Sequence, residues 1–356
     1  LQTAIVFETI EARSAHREPA TENREETMTP RHGLAKAALV LALALALAAV
    51  TSEARAQEYP AKGKPITIIV PYAAGGVTDV TARLMATGLE KELGTTVQVA
   101  NKPGAASQVA LTELARATPD GYTLSYAVLP TVTTHYLDPA RAAVYTRTSF
   151  QPIGLHHLTS MMLAVQAASP HKTLKELVEA ARAKPESIRI SDSGLMAVPH
   201  TQVVMLELAA GVRFASVHFT GGAPSVTALL GGHVEALAGS TADALAHKKS
   251  GQFRVLAVAA EEPDPTMPDV PTMKSQGFDV VAASAAGIVA PAGTPKPVVD
   301  RLTRAMKAVI DGAEHQAKMK DLGIPTYYRD PEGYTKYWVD TESRIRPLLQ
   351  KIGQQR

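Results

Sequence analysis

The chain has 356 residues, of which 46% are hydrophobic and 20% charged, and its formal net charge is +2. That length suits about two domains with sizeable cores, and the near-neutral balance lacks the basic bias of a nucleic-acid-binding protein. The absence of cysteine excludes disulfides, thiolate metal sites, cysteine nucleophiles and a lipid-bearing cysteine anchor.

Arg31 and Lys36 precede an unbroken alanine-leucine run from Ala37 to Val50, and Ala54-Arg55-Ala56 follows with small residues at both positions a signal peptidase reads. Residues 28–56 are therefore expected to be a signal peptide cleaved between Ala56 and Gln57, with the product exported to the periplasm. The apolar run is shorter than the ~20 residues a membrane span needs. Residues 1–27, polar and charged ahead of Met28, read as upstream over-extension.

Ile66 to Val70 is a continuous β-branched run, too short for a helix. It reads as a buried strand ending at Pro71, which cannot donate to a sheet ladder. Gly75-Gly76 then permits backbone conformations closed to other residues, and Thr78 or Asp79 is expected to cap a helix with an apolar stripe through Val80, Leu84, Met85 and Leu89. The unpaired amides at such a terminus favour a carboxylate or phosphate. Tyr72, Ala73, Ala74, Gly75, Gly76 and Asp79 thus read as one wall of a carboxylate-binding cleft, against the alternative of a tight turn that binds nothing. A strand at Val97–Ala100, a helix at Ser107–Ala117 and a strand at Tyr122–Val128 follow, so the spacing predicts βαβ units with a parallel sheet, whose ligands lie beyond the carboxyl ends of the strands.

The pattern restarts at Ser160. Met161–Val165 reads as a strand, Thr173–Ala183 as a helix with Thr173 and Glu176 as a capping box, and Ile188–Ser191 as a strand. A second strand-to-helix loop, 191–200, leads into a helix at Thr201–Ala210. Phe219–Pro224 forms a third such loop and Gly239–Asp243 a fourth. Phe253–Ala259 is a strand, Val280–Ala290 is strand-rich, and helices are expected at Val298–Ile310 and Tyr334–Leu349, the last carrying Tyr337, Trp338 and Ile345 on its apolar side. Similar loops in two successive α/β units predict two domains facing each other across a ligand cleft.

At these residues the chain resembles the periplasmic substrate-binding receptors of tripartite tricarboxylate transporters, the Bordetella uptake gene (Bug) family. The matching stretches are Ile68-Ile69-Val70-Pro71-Tyr72 with Gly75-Gly76 and Asp79, Asn101-Lys102-Pro103-Gly104-Ala105, Pro119-Asp120-Gly121-Tyr122-Thr123-Leu124, Leu229-Leu230-Gly231-Gly232, Pro268-Asp269-Val270-Pro271-Thr272 and Pro291-Ala292-Gly293-Thr294-Pro295. They keep one order over nearly the whole mature chain. The resemblance implies an α/β, two-domain periplasmic binding protein of the type II Venus-flytrap class, each domain a mixed, mostly parallel sheet flanked by helices. Domain 1 would be 57–160 plus 285–356 and domain 2 161–284. It implies no catalytic residues, no cofactor and no metal. The expected ligand is a small organic acid, held by backbone amides and hydroxyls between the first two loops and handed to the permease subunits of a tripartite tricarboxylate-type transporter. A monomer is expected.

The first loop fits the family pattern. In the second, His200 matches, but Met196 and Ala197 replace a common glycine-serine pair, and Pro199 removes an amide. Ser193, Gly194, Ala197, His200, Thr220, Gly221, Ser240 and Thr241 are the remaining candidate ligand contacts. Asp192 would repel a second carboxylate unless protonated or turned away, so the pocket is expected to favour a less charged or more apolar ligand, such as an aromatic or monocarboxylic acid, with a dicarboxylate as the other candidate. Each candidate has a bland reading: Asp79 as a helix cap, His200 as a structural histidine at a helix start, Tyr72 as a ring packed at the sheet edge, and His135 on the cleft or on the surface. His156-His157 lacks the spacing of a helix-face metal pair, and no HExxH occurs. Ser191 or Ser193 with His200 could be part of a hydrolase, but no nucleophile elbow or phosphate loop is present. A binding protein feeding a membrane histidine kinase is the alternative binding role.

Overall fold

The computed structural model describes residues 59–354; the expected signal peptide and the residues before it lie outside these. The first strand β1 (Ile66–Val70) pairs in parallel with β2 (Val97–Asn101) and β3 (Thr123–Leu129), with α1 (Val77–Leu93) and α2 (Gln108–Arg116) as the crossovers. A short α3 (Thr131–Leu137) follows β3. A second parallel set joins β5 (Arg189–Asp192), β6 (Ala215–His218) and β7 (Ala236–Ser240). Its helices are α4 (Leu174–Ala183), α5 (Val198–Ala210), α6 (Gly222–Leu230) and α7 (Thr241–Lys249). Each parallel ladder follows the predicted βαβ spacing; β6, with a half-buried to exposed pattern, has no apolar run to mark it.

The two sets are joined by β4 (Phe150–Gln166), a single 17-residue strand. Its residues 150–160 pair antiparallel with β9 (Ala283–Pro291), and its residues 161–166 pair antiparallel with β7 and with β8 (Phe253–Ala259). Strand order is β2-β1-β3-β9-β4-β7-β5-β6, with β8 and β10 (Thr326–Arg329) also on β4. The sheet is thus mixed: parallel within the crossover units, antiparallel wherever β4 and β9 take part. The sequence reading started β4 at Met161. Its first half hides in Gln151-Pro152-Ile153-Gly154, where the register shifts against β9; Pro152 cannot donate to the ladder, and a bulge accommodates it.

After β9 come α8 (Lys296–Asp311), α9 (Ala313–Asp321), β10 and α10 (Pro331–Gln354). Helix α8 lies against α1 so closely that a Cβ on Gly88 would sit 2.4 Å from Val309 Cγ1. On α10, Trp338 is fully buried, stacked near Phe150 and Tyr334 with ring centroids 6.1 and 5.9 Å away. Its indole N–H donates to the Tyr136 hydroxyl at 2.9 Å, which supplies the partner a buried indole needs. This packing fixes the C-terminal helix to β4 and to α3, and so places the floor and one rim of the cleft.

Candidate functional site

The cleft, with about 60 Å³ of free volume, lies where β4 and β9 pass between the two strand sets. Its floor is His157, Thr159 and Met161 of β4 with Ser284 of β9; its walls are helix starts. Five helices begin around it: α1 at Gly76–Thr78, α3 at Thr131, α5 at Val198–Pro199, α6 at Gly222 and α7 at Ser240–Asp243. Helix N-termini carry partial positive charge and unpaired amides, so they supply the positive potential of a cleft that no lysine or arginine lines.

These termini differ in what already occupies them. Helix α7 caps itself, because Ser240 Oγ accepts from the Asp243 amide and Asp243 Oδ2 accepts from the Ser240 amide at 2.9 Å and hydroxyl at 2.7 Å. At α5 the Val198 amide donates to Thr131 Oγ1 at 3.1 Å and the next residue is Pro199. Helices α1 and α6 have glycine N-caps, Gly76 and Gly221, with no side-chain cap. These two open ends face each other, since a Cβ on Gly76 would lie 3.5 Å from the Ala223 amide nitrogen and 3.6 Å from that of Gly222.

Among the candidate ligand contacts proposed from the sequence, Tyr72, Gly76, Ser193 and Ser240 line the cleft. The others do not. The Gly75 amide donates to Asp79 Oδ2 at 2.9 Å, and that carboxylate also takes Asn101 Nδ2 at 2.8 Å and an ion pair with Arg83 at 2.9 Å. Asp79 therefore folds the first loop from inside the helix, and Gly76 rather than Thr78 or Asp79 is the N-cap residue. Burial works to raise its pKa, but Arg83, the Gly75 amide and Asn101 together hold it below the ordinary value. The Ala73 amide is taken by the Thr220 carbonyl at 2.9 Å, and Ala73, Ala74 and Thr220 are not part of the lining. Gly221 is packed against Ala73 and Tyr72, where a Cβ would come within 3.1 Å. The Gly194 amide is held by Asp192 and that of Ala197 by the Gly194 carbonyl. Thr241 is buried in the start of α7.

His200 takes the structural role, its Nδ1 accepting the Met196 amide at 3.0 Å. Asp192 is fully buried and turned to His218 Nδ1 at 2.9 Å, away from the cleft; the acid that does line the cleft is Asp243. Asp192, His200 and His218 bring possible metal-ligand atoms within 4.8 Å of one another, a convergence the sequence spacing did not reveal. His200 Nδ1 uses its lone pair on an amide, which puts the ring proton on Nε2 and makes that atom a donor, unsuited to a metal. His135 is neither in the cleft nor on the surface. It is buried against the Tyr145 hydroxyl at 2.6 Å, and burial pushes its pKa down to about 3.

The sequence reading offered Asp243 from the fourth loop but missed Thr131, His157, Thr159, Met161, Gly222 and Ser284. The β4 and β9 residues reach the cleft only because their strands run under it. His157 is 2% exposed, its Nδ1 has no hydrogen-bond partner, and burial holds its pKa at about 3, so the ring is neutral.

A mixed α/β fold with a cleft ringed by helix starts is the architecture of a periplasmic solute-binding protein. It superposes on the structure of the periplasmic binding protein BugD with a TM-score of 0.76 at 32% identity, over 81% of this chain and 97% of that one. It matches MatC from Rhodopseudomonas palustris with bound malate equally well, at 28% identity, a TM-score of 0.76 and coverage of 80% and 98%. A UPF0065 protein from the gbd 5′ region of Cupriavidus necator is 31% identical over 333 residues, 92% of this chain and 98% of that one. Residues 81–354 match the tripartite tricarboxylate transporter family receptor model, and the chain belongs to that family of solute-binding receptors.

Proposed function

We propose that this receptor captures a small carboxylic acid with the carboxylate seated between the open N-termini of α1 and α6, and delivers it to the permease subunits of a tripartite tricarboxylate-type transporter. The observation that carries the reading is the meeting of two uncapped helix ends in a cleft without a cation. Opposed positive ends repel each other, and an anion between them relieves this. The seat lies between the first and third loops, because Thr131 and Pro199 already occupy the second. The malate bound by MatC supports a carboxylate as the ligand class. Membership of a family of substrate-binding receptors supports binding without turnover.

The two lobes of the proposal are 57–160 plus 285–356 and 161–284, turning about β4 and β9. The working protein is periplasmic, begins at Gln57 and acts as a monomer. A thermal-shift screen of the chain from Gln57 onward, with malate, other C4–C8 dicarboxylates, citrate, monocarboxylates and benzoates, tests the ligand class. A ligand of the folded state raises the melting temperature. A folded protein that no carboxylate stabilises would overturn the reading.

A further inference from the structure

The cleft holds one acid and nothing to balance a second. Asp243 Oδ2 is used within the α7 capping box, but Oδ1 makes no hydrogen bond to any described residue. That oxygen sits against the start of α6, where a Cβ on Gly222 would lie 2.8 Å from it, and Gly222 in turn adjoins Gly76 of α1. An unpaired carboxylate oxygen therefore stands within one residue's width of the proposed carboxylate seat, on the wall of the same cleft. It can accept a hydrogen bond and repels a negative charge. The lining has no lysine or arginine, and its single imidazole, His157, is neutral through burial, so no cation offsets Asp243 there.

Resting on the carboxylate seat proposed above, we infer that the cleft selects a monocarboxylic acid bearing a hydrogen-bond donor, hydroxyl or ammonium, close to its carboxylate, with Asp243 Oδ1 as the acceptor. A dicarboxylate would bring its second charge to Asp243 with no partner. A plain alkanoate would leave Oδ1 desolvated and unpaired. Hydrogen bonds to a charged group are strong enough for each of these differences to reach about tenfold in affinity.

The test is isothermal titration of the chain from Gln57 onward with four-carbon acids of matched size: butanoate, 2- and 3-hydroxybutanoate, 2- and 3-aminobutanoate, and succinate. A hydroxy or amino acid binding about tenfold or more tighter than both butanoate and succinate supports the inference, and the arm that wins identifies the donor. Succinate binding tightest would overturn the inference while leaving the carboxylate seat intact. Binding by none of the acids would remove the seat as well. Asp243→Asn keeps an oxygen for the Ser240 amide and can turn its amide N–H₂ to the cleft, so it should lose the donor preference and bind succinate better than the parent does. Circular dichroism checks that the variant is folded, and the parent series decides the matter if it is not. An unchanged ligand order in a folded Asp243→Asn protein would also refute the assignment.

Discussion

Replacing Thr131 by valine removes one hydroxyl and almost no volume. Thr131 Oγ1 accepts the Val198 amide at 3.1 Å, with both residues at most 2% exposed. Outside the β4–β9 ladder, this is one of four hydrogen bonds among the described residues that join the two proposed lobes; the others run from the Ala73 amide to the Thr220 carbonyl, from Thr134 Oγ1 to the Met196 carbonyl and from Arg141 Nη1 to the Leu195 carbonyl. The net worth of such a bond is about 1 kcal/mol, and a buried amide left without an acceptor costs ~1–3 kcal/mol. In an open form water can satisfy the amide, so the cost falls on the closed form, and a ligand that requires closure must supply it. A total of about 2 kcal/mol corresponds to ~30-fold weaker binding. Titration calorimetry with the tightest acid from the screen measures this, and the melting temperature without ligand should move by only a few degrees. Affinity within twofold of the parent, in a protein with unchanged stability, would refute the idea that the Thr131–Val198 bond belongs to the ligand-bound closed state.

Other consequences concern stability. Asp79→Ala should cost about 2 kcal/mol at neutral pH, since it frees the Gly75 amide and Asn101 and leaves Arg83 without its partner; urea unfolding reads this. Because the folded pKa of Asp79 lies below its unfolded value, that stabilisation is complete above the unfolded pKa and is lost as pH falls through the folded one, so parent and variant should converge in acid. His157, with its folded pKa lowered to about 3, stays neutral while the unfolded chain takes up a proton below pH ~6.5. Stability should therefore fall as pH drops from there towards 3, by up to about 1.4 kcal/mol per pH unit for this residue, and His157→Gln should flatten that slope in urea titrations run across the range. Gly88→Ala gains about 1 kcal/mol of helix propensity but forces a methyl to 2.4 Å from Val309 Cγ1. Overpacking costs ~1–3 kcal/mol, so the melting temperature should fall; a rise would mean that α1 and α8 separate freely.

Local order was largely legible in the sequence. β1, β3, β8, α1, α4 and α8 follow from β-branched runs, apolar periodicity and cap residues, because each of these signals acts on the backbone within a few residues. Thr173 caps α4 by accepting the Glu176 amide, as its spacing with Glu176 predicts. The first-loop and third-loop glycines were correctly linked to helix starts. The order of motifs along the chain also pointed to the receptor family, since a family signature is a property of sequence.

Which helix starts remain open for a ligand was a matter for the tertiary structure. Asp79 and Gly75 looked like cleft residues until Asn101 and Arg83, 22 and 4 positions away, were seen to fix the carboxylate. The amide at the start of α5 looked available until Thr131, 67 positions from Val198, was seen to accept it. His157, Thr159 and Ser284 carry no local signal; they meet because β4 and β9 pair antiparallel beneath the cleft. Asp192 ends β5 and Asp243 lies just after β7, and only packing turns the first toward His218 and leaves the second facing the cleft. Short-range signals determine where strands and helices form. Which of their polar groups are satisfied by other protein groups depends on contacts between distant parts of the chain, and that accounting decides where a ligand can bind.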